Sequence, residues 1–307
     1  MGNQVRTAVL LTAMTLFLIF IGRLIGGRQG MIIAFVLAAG MNFFSYWFSD
    51  KMVLKMYRAS EITAQQAPQI YALVQDLTQR AGLPMPRIFL IPQQAPNAFA
   101  TGRNPEHAVV AVTQGLVNLM DQEEIRGVLS HELAHVKNRD ILIGSVAATM
   151  AGAVMMLATM ARWSAFFGGG DDDEGGLGTI GLIVMSILAP LGAMVIQMAI
   201  SRSREYLADA TGAGFTGHPE GLASALEKLG TYSKQIPMNA SPSTAHMFIV
   251  NPLSGKSLMS LFSTHPPLEE RIARLRGQRG SGGPGVTRNP PGPHPSRGSD
   301  FWDRLSP

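Results

Sequence analysis

The chain has 307 residues, of which 46% are hydrophobic and only 15% charged, with a mean hydropathy of +0.16; soluble domains carry about 25% charged residues. The shortage is concentrated in four charge-free apolar windows at residues 7–22, 30–49, 141–161 and 175–201, and a bilayer core needs roughly 20 such residues. This excludes a wholly soluble protein, the lack of period-two alternation excludes an outer-membrane barrel, and the absence of cysteine excludes disulfides, thiolate metal sites and thiol nucleophiles.

Arg6 precedes the first window, and no small-residue cleavage site follows it. The chain runs on through Arg23 and Arg28 into the second window, so residues 1–50 read as a retained transmembrane hairpin rather than a signal peptide. Within it, Tyr46 and Trp47 read as an interfacial aromatic belt. Lys51, Lys55 and Arg58 follow the second window; Arg126, Lys137 and Arg139 precede the third; Arg202 and Arg204 follow the fourth. The loop at 168–174 is Gly-Gly-Gly-Asp-Asp-Asp-Glu. The positive-inside rule then places both termini in the cytoplasm and the acidic loop outside, with Arg23, Arg28 and Arg162 outvoted. Five segments result: the hairpin at 1–50, a first cytoplasmic part at 51–140, a second transmembrane hairpin at 141–201, a second cytoplasmic part at 202–276, and a Pro/Gly/Arg-rich tail at 277–307 that cannot bury a core. The net charge of +4 thus reflects orientation and the tail and does not call for nucleic acid.

The cytoplasmic parts read as α+β and mainly helical. Ile70, Leu73, Val74 and Leu77 mark a helix over 67–81, and short strands are expected at 87–91 and 108–112. A helix over 122–138 begins after Asp121 at its N-cap, with Glu124 three residues on. Further helices are expected at 220–229 and 268–275.

Inside the 122–138 helix lies His131-Glu132-Leu133-Ala134-His135. Two imidazoles at i and i+4 share one helical face and can grip a single zinc ion, while Glu132 is rotated by about 100° toward a metal-bound water. Zinc lowers the pKa of such a water toward 7, within reach of a carboxylate base. A catalytic zinc takes a third protein ligand, and Glu205 is the candidate. Glu205 and Asp209 stand four apart, so one can bind the metal while the other orients a ligating histidine; a helix-start acid balancing Arg202 or Arg204 is the other reading of Glu205. The pair His131 and His135 lies just before the third window and Glu205 just after the fourth, so the second hairpin returns both halves to one membrane face. The flanking Glu123, Glu124, Arg126, Lys137, Arg139 and Asp140 are too polar for a site inside the bilayer. Asn138 and Asp140 read as helix caps, and His107, His218, His246 and His294 as structural or loop-borne.

These motifs carry a resemblance. The residues 131–140 (HELAHVKNRD), 201–209 (SRSREYLAD) and 263–272 (STHPPLEERI), with 42–51 (NFFSYWFSDK) and 96–100 (PNAFA), resemble the HtpX group of membrane zinc metallopeptidases, relatives of the CAAX prenyl-proteases. The resemblance implies a gluzincin-type domain with four transmembrane helices in the bacterial cytoplasmic (inner) membrane. It implies an endopeptidase with a cytoplasmic active site that cleaves misfolded or damaged membrane proteins in stress-related quality control. One Zn2+ per chain would be held by His131, His135 and Glu205, with Glu132 as base and Asp209 behind the ligands. His265 would stabilise the oxyanion, and Asn97, Ala98 and Phe99 would meet an extended substrate along an edge strand. The partners implied are membrane-protein substrates, the lipid bilayer, and a second copy or another quality-control protease. Read from the residues alone, His265 before two prolines is equally a rigid turn, and Asn97 equally a turn former after Pro96. The tail and the triple-Asp loop depart from the group's pattern.

Overall fold

A computed structural model describes residues 3–167, 202–236, 238–252 and 266–277. The fourth apolar window (175–201), the acidic loop, His265 and the tail beyond 277 lie outside the described residues.

Helix α1 (Asn3–Met56) doubles back on itself. A straight helix of 54 residues would run about 80 Å and hold Thr15 and Asn42 about 40 Å apart. Instead Asn42 Nδ2 donates to Thr15 Oγ1 at 2.8 Å. The reversal is built from glycine: Gly27 has a φ of +57°, open to a residue without Cβ. A Cβ on Gly22 would stand 2.5 Å from the carbonyl oxygen of Gly30. Among the described residues, Gly27–Met56 is the one helix long and apolar enough to cross a membrane, while Val5–Phe20 and Ile141–Met155 are shorter apolar helices. The first arm of α1 packs on α5 (Ile141–Phe167) through Leu10, Met14, Ile143, Val146 and Met150.

Between α1 and α5 in the chain comes a four-stranded sheet of β1 (Ser60–Glu61), β2 (Arg87–Ile91), β3 (Ala98–Thr101) and β4 (Val109–Thr113) in the order β1-β2-β4-β3. β2 runs parallel to β4; β1 and β3 are antiparallel to their neighbours, with Ala98 opposite Val112 and Thr101 opposite Val109. Side chains alternate between faces. Ile88, Val110, Val112 and Ala98 join the main core with α2 (Pro68–Ala81), whereas Phe89, Ile91, Phe99 and Ala111 turn toward Tyr57 and Phe248.

After the short α3 (Gln114–Leu119), helix α4 (Gln122–Lys137) starts from a capping box: the Asp121 side chain accepts from Glu124 N, and Glu124 Oε2 from Asp121 N. The buried Glu124 carboxylate also accepts from Ser224 Oγ and Lys228 Nζ, both at 2.6 Å, on α7 (Glu220–Gln235). α6 (Arg202–Thr216) crosses α4 at Gly212, where a Cβ would stand 3.0 Å from the backbone of Ser130 and His131. α8 (Leu268–Gly277) packs against α7 and inserts Arg271 toward α6.

Candidate metal centre

The middle of α4 is buried on all sides, and His131 and Glu132 are 0% and 1% exposed. A polar group so deep needs partners, and the site supplies them. His131 Nδ1 lies 2.9 Å from Asp209 Oδ1, and His135 Nδ1 lies 3.1 Å from Asp140 Oδ2. Each imidazole is thereby held through Nδ1 by a carboxylate, which turns both Nε2 atoms inward, as metal-ligating histidines are oriented.

Asp140 reaches His135 because the helix end reverses. Asp140 N donates to the His135 carbonyl and Arg139 N to that of Val136, with Arg139 at φ +56°. This is the left-handed helix stop in which glycine is the favoured residue. The cap expected at Asp140 is therefore also a histidine holder, a role that periodicity does not reveal.

The inward atoms form a triangle: His131 Nε2 to His135 Nε2 is 3.1 Å, and Glu205 oxygens lie 3.6 Å from His131 Nε2 and 3.7 Å from His135 Nε2. Tetrahedral zinc with ligands at about 2.0–2.1 Å has edges of roughly 3.3–3.4 Å. Two imidazoles and a carboxylate at this spacing fit a divalent cation, and His131, His135 and Glu205 are the group among the described residues whose donor atoms converge so.

Electrostatics agrees. Burial, with the charge of Arg271, pushes His131 below its ordinary value, so it stays neutral and able to ligate. Burial would also lower His135, but Asp140, then Glu205 and Glu132, push it up to about 10. That rise reflects a pocket that strongly favours positive charge. Burial, opposed by His135 and reinforced by Glu205, pushes Glu132 up to about 7. Glu132 also takes a hydrogen bond from the Ala100 backbone, and its Oε1 has no hydrogen-bond partner among the described residues.

Behind Asp209 stands Arg271, fully buried, a residue that the motif contains but to which the sequence assigns no role. Its Nε and Nη2 donate to the two Asp209 oxygens at 2.8 and 2.7 Å, and Nη1 donates to the Ile249 carbonyl at 3.0 Å. Burial would raise Asp209, but the charge and paired hydrogen bonds of Arg271 win and hold it well below the usual carboxylate range.

The substrate-side residues are arranged differently from the expectation. Thr113 N donates to Asn97 O, which puts Asn97, Phe99 and Thr101 in hydrogen-bonded pairs with β4 and turns the peptide groups of Ala98 and Ala100 outward. Ala98 O already accepts from Ile249 N at 3.0 Å. Asn97, 2% exposed, donates through Nδ2 to Val250 O at 2.9 Å and accepts from Ala98 N. Phe99 is buried between Tyr57 and Phe248. None of these three lines the cleft; Ala100 does, together with Glu132, Arg204, His246 and Phe248 around a space of about 60 Å3. His246 stands at the cleft wall on a 3₁₀ turn (Ala245–Met247), its Nε2 3.1 Å from Gly144 O.

Comparison with known proteins places this geometry. The model for peptidase family M48 matches residues 64–279. A Protease HtpX homolog from Desulforapulum autotrophicum is 72% identical over 284 residues, covering 92% of both chains. Another from Desulfatibacillum aliphaticivorans is 65% identical over 313 residues, covering 99% of this chain and all of that one. A third, from Pyrococcus furiosus, is 54% identical over 276 residues, covering 90% and 96%. The crystal structure of Ste24p from S. mikatae aligns at 21% identity with a TM-score of 0.49, over 89% of this chain and 65% of that one. The chain belongs to peptidase family M48: it is a metalloprotease of HtpX type, a hydrolase of peptide bonds.

Proposed function

We propose that this metalloprotease is a zinc-dependent endopeptidase embedded in the cytoplasmic membrane by four helices. Its gluzincin-type active site faces the cytoplasm and cleaves misfolded or damaged membrane proteins in quality control under stress. The observation that carries the reading is the triangle of His131, His135 and Glu205 with Glu132 beside it. A zinc ion held by those three residues would supply a Lewis acid that polarises a peptide carbonyl and acidifies water.

The chain's own residues supply the rest. Glu132, which burial and Glu205 push up to about 7 before any metal is bound, is the carboxylate placed to take and return a proton. Its free Oε1 takes the proton of the attacking water and passes it to the leaving nitrogen. Asp209 and Asp140 fix the tautomers of the two histidines. The outward carbonyl of Ala100, whose N–H donates to Glu132, offers a main-chain hydrogen bond to an extended substrate with little demand on its sequence, while Asn97 holds the 249–250 segment against the same strand. His265 is assigned the oxyanion on family resemblance.

The membrane reading draws on the apolar surface of α1, where Ile32, Phe35, Val36, Leu37, Phe43 and Phe44 are each more than half exposed; a patch of this kind is covered by lipid or a partner. The basic residues at the window ends set the orientation. Cleavage of an unfolded membrane protein by the purified full chain should stop on chelation and return with zinc, at one metal per chain. Cleavage that persists after the metal is stripped would sink the proposal. The chain has no cysteine, so Leu207→Cys, at a position 52% exposed, gives a clean label that should react from the cytoplasmic side only.

A further inference from the structure

Near the metal centre, where the apolar segments meet the catalytic part, a second cavity of about 430 Å3 opens between α1, the 103–106 loop and the start of α5. Thr7 begins the first window, Tyr46 lies in the last turn of the second, and Ile141 begins the third; all three line it. The cavity therefore sits at one level, the aqueous boundary of three apolar segments. Its walls divide by polarity. Ala8, Leu11 and Leu142 form the side continuous with the apolar helices, and Arg103, Arg139 and Glu106 form the other.

The two arginines are available. Arg139 makes no side-chain hydrogen bond or ion pair among the described residues. It occupies the left-handed helix stop at φ +56°, a position that a glycine fills with less strain. The Arg103 guanidinium lies 4.8 Å over the Trp47 ring and spends one nitrogen on His107 Nε2. Its plane is thereby fixed while its remaining donors stay open. Two guanidinium groups and one carboxylate leave this wall with a net charge of +1, the complement of one singly charged phosphodiester.

We propose that this cavity binds the headgroup of a monoanionic glycerophospholipid. Arg103 and Arg139 grip the phosphate as paired donors do, Glu106 accepts from a headgroup hydroxyl, and the acyl chains run along Leu11 and Leu142. A free anion would gain nothing from the apolar wall, and a neutral amphiphile nothing from the arginines. The bound lipid would tie the 103–106 loop, and through it β3, to the membrane arms. The proposal rests on the reading of α1 and α5 as membrane-spanning.

The test is native mass spectrometry of the full chain released from micelles doped with phosphatidylglycerol or phosphatidylcholine. The wild type should retain one phosphatidylglycerol in preference to phosphatidylcholine. R103Q/R139Q should weaken that retention by about tenfold or more, since each charged hydrogen bond lost counts at that scale. K51Q/R58Q removes two charges that follow the second window but lie outside the cavity, and it should change nothing. Zinc content confirms that each variant is folded. Equal loss in both double variants would overturn the proposal, as would no loss in R103Q/R139Q, or displacement by inorganic phosphate as effective as by lipid. Alkaline extraction of vesicles separates the two readings. If the wild type washes off, the membrane reading itself fails; if it stays and retention ignores the arginines, the lipid site alone fails.

Discussion

Arg271 offers a direct way to weigh the site's support. It is fully buried, gives two hydrogen bonds of 2.7–2.8 Å to Asp209 and a third of 3.0 Å to the Ile249 carbonyl, and lies 3.8 Å from Glu205. Arg271→Met keeps much of the volume but leaves the Asp209 carboxylate buried beside His131 with no compensating charge. Removing one partner of a buried pair costs about 3–5 kcal/mol. Asp209 would rise from its depressed value toward protonation and loosen its hold on His131, which should lower zinc affinity by about 10–100-fold. Restoring electrical balance with Asp209→Asn in the same chain should recover most of the stability, because an amide needs no counter-charge, but not the zinc affinity. Thermal melting of the detergent-solubilised chain and competition against a calibrated zinc chelator read the two quantities separately. If R271M melts with the wild type, or D209N/R271M melts no higher than R271M, the buried pair does not support the site as described.

Other perturbations address neighbouring links. Gly212→Ala places a methyl group 3.0 Å from the His131 and Ser130 backbone. α6 must then withdraw by a few tenths of an ångström, at an overpacking cost of about 1–3 kcal/mol set against the roughly 1 kcal/mol gained in helix propensity. Zinc affinity should fall more than melting temperature, and an unchanged affinity would show that Glu205 does not depend on this contact. Because the surrounding carboxylates push His135 up to about 10, an incoming metal displaces its proton, and apparent zinc affinity should weaken by about tenfold per unit of falling pH between pH 8 and 7. A flat titration over that range would contradict the reading. Asn97→Ala strips buried partners from Ala98 N and Val250 O and should cost about 2–4 kcal/mol with zinc content unchanged; lost activity at full stability would instead place Asn97 on the substrate.

Much of this fold was legible because its signals are local. Strand β2 at Arg87–Ile91 and the α4 start at Asp121 follow from apolar patterning and cap chemistry. The reversal in α1 follows from Arg23 and Arg28 between the two apolar windows, and the backbone turns there at Gly27. Other features required three dimensions. Apolar periodicity on α7 stops at Leu229, yet the helix continues to Gln235, since backbone hydrogen bonds carry a polar turn once it has begun. Nothing in spacing ties Arg271 to Asp209 across 62 residues. Asp140 looked like a cap because its contact with His135 depends on the positive φ of Arg139. Asn97, expected at the substrate, points instead to the 249–250 segment, and only the peptide pairing of β3 reveals that Ala100 is the strand residue that faces the cleft.

The central claim is that Glu132 is the base beside a metal held by His131, His135 and Glu205. Glu132→Gln keeps the shape of the side chain and removes only its ability to take a proton. The account predicts that purified E132Q retains one zinc per chain by elemental analysis while cleavage of an unfolded membrane protein falls to background. Wild-type cleavage by the zinc-loaded variant would contradict it.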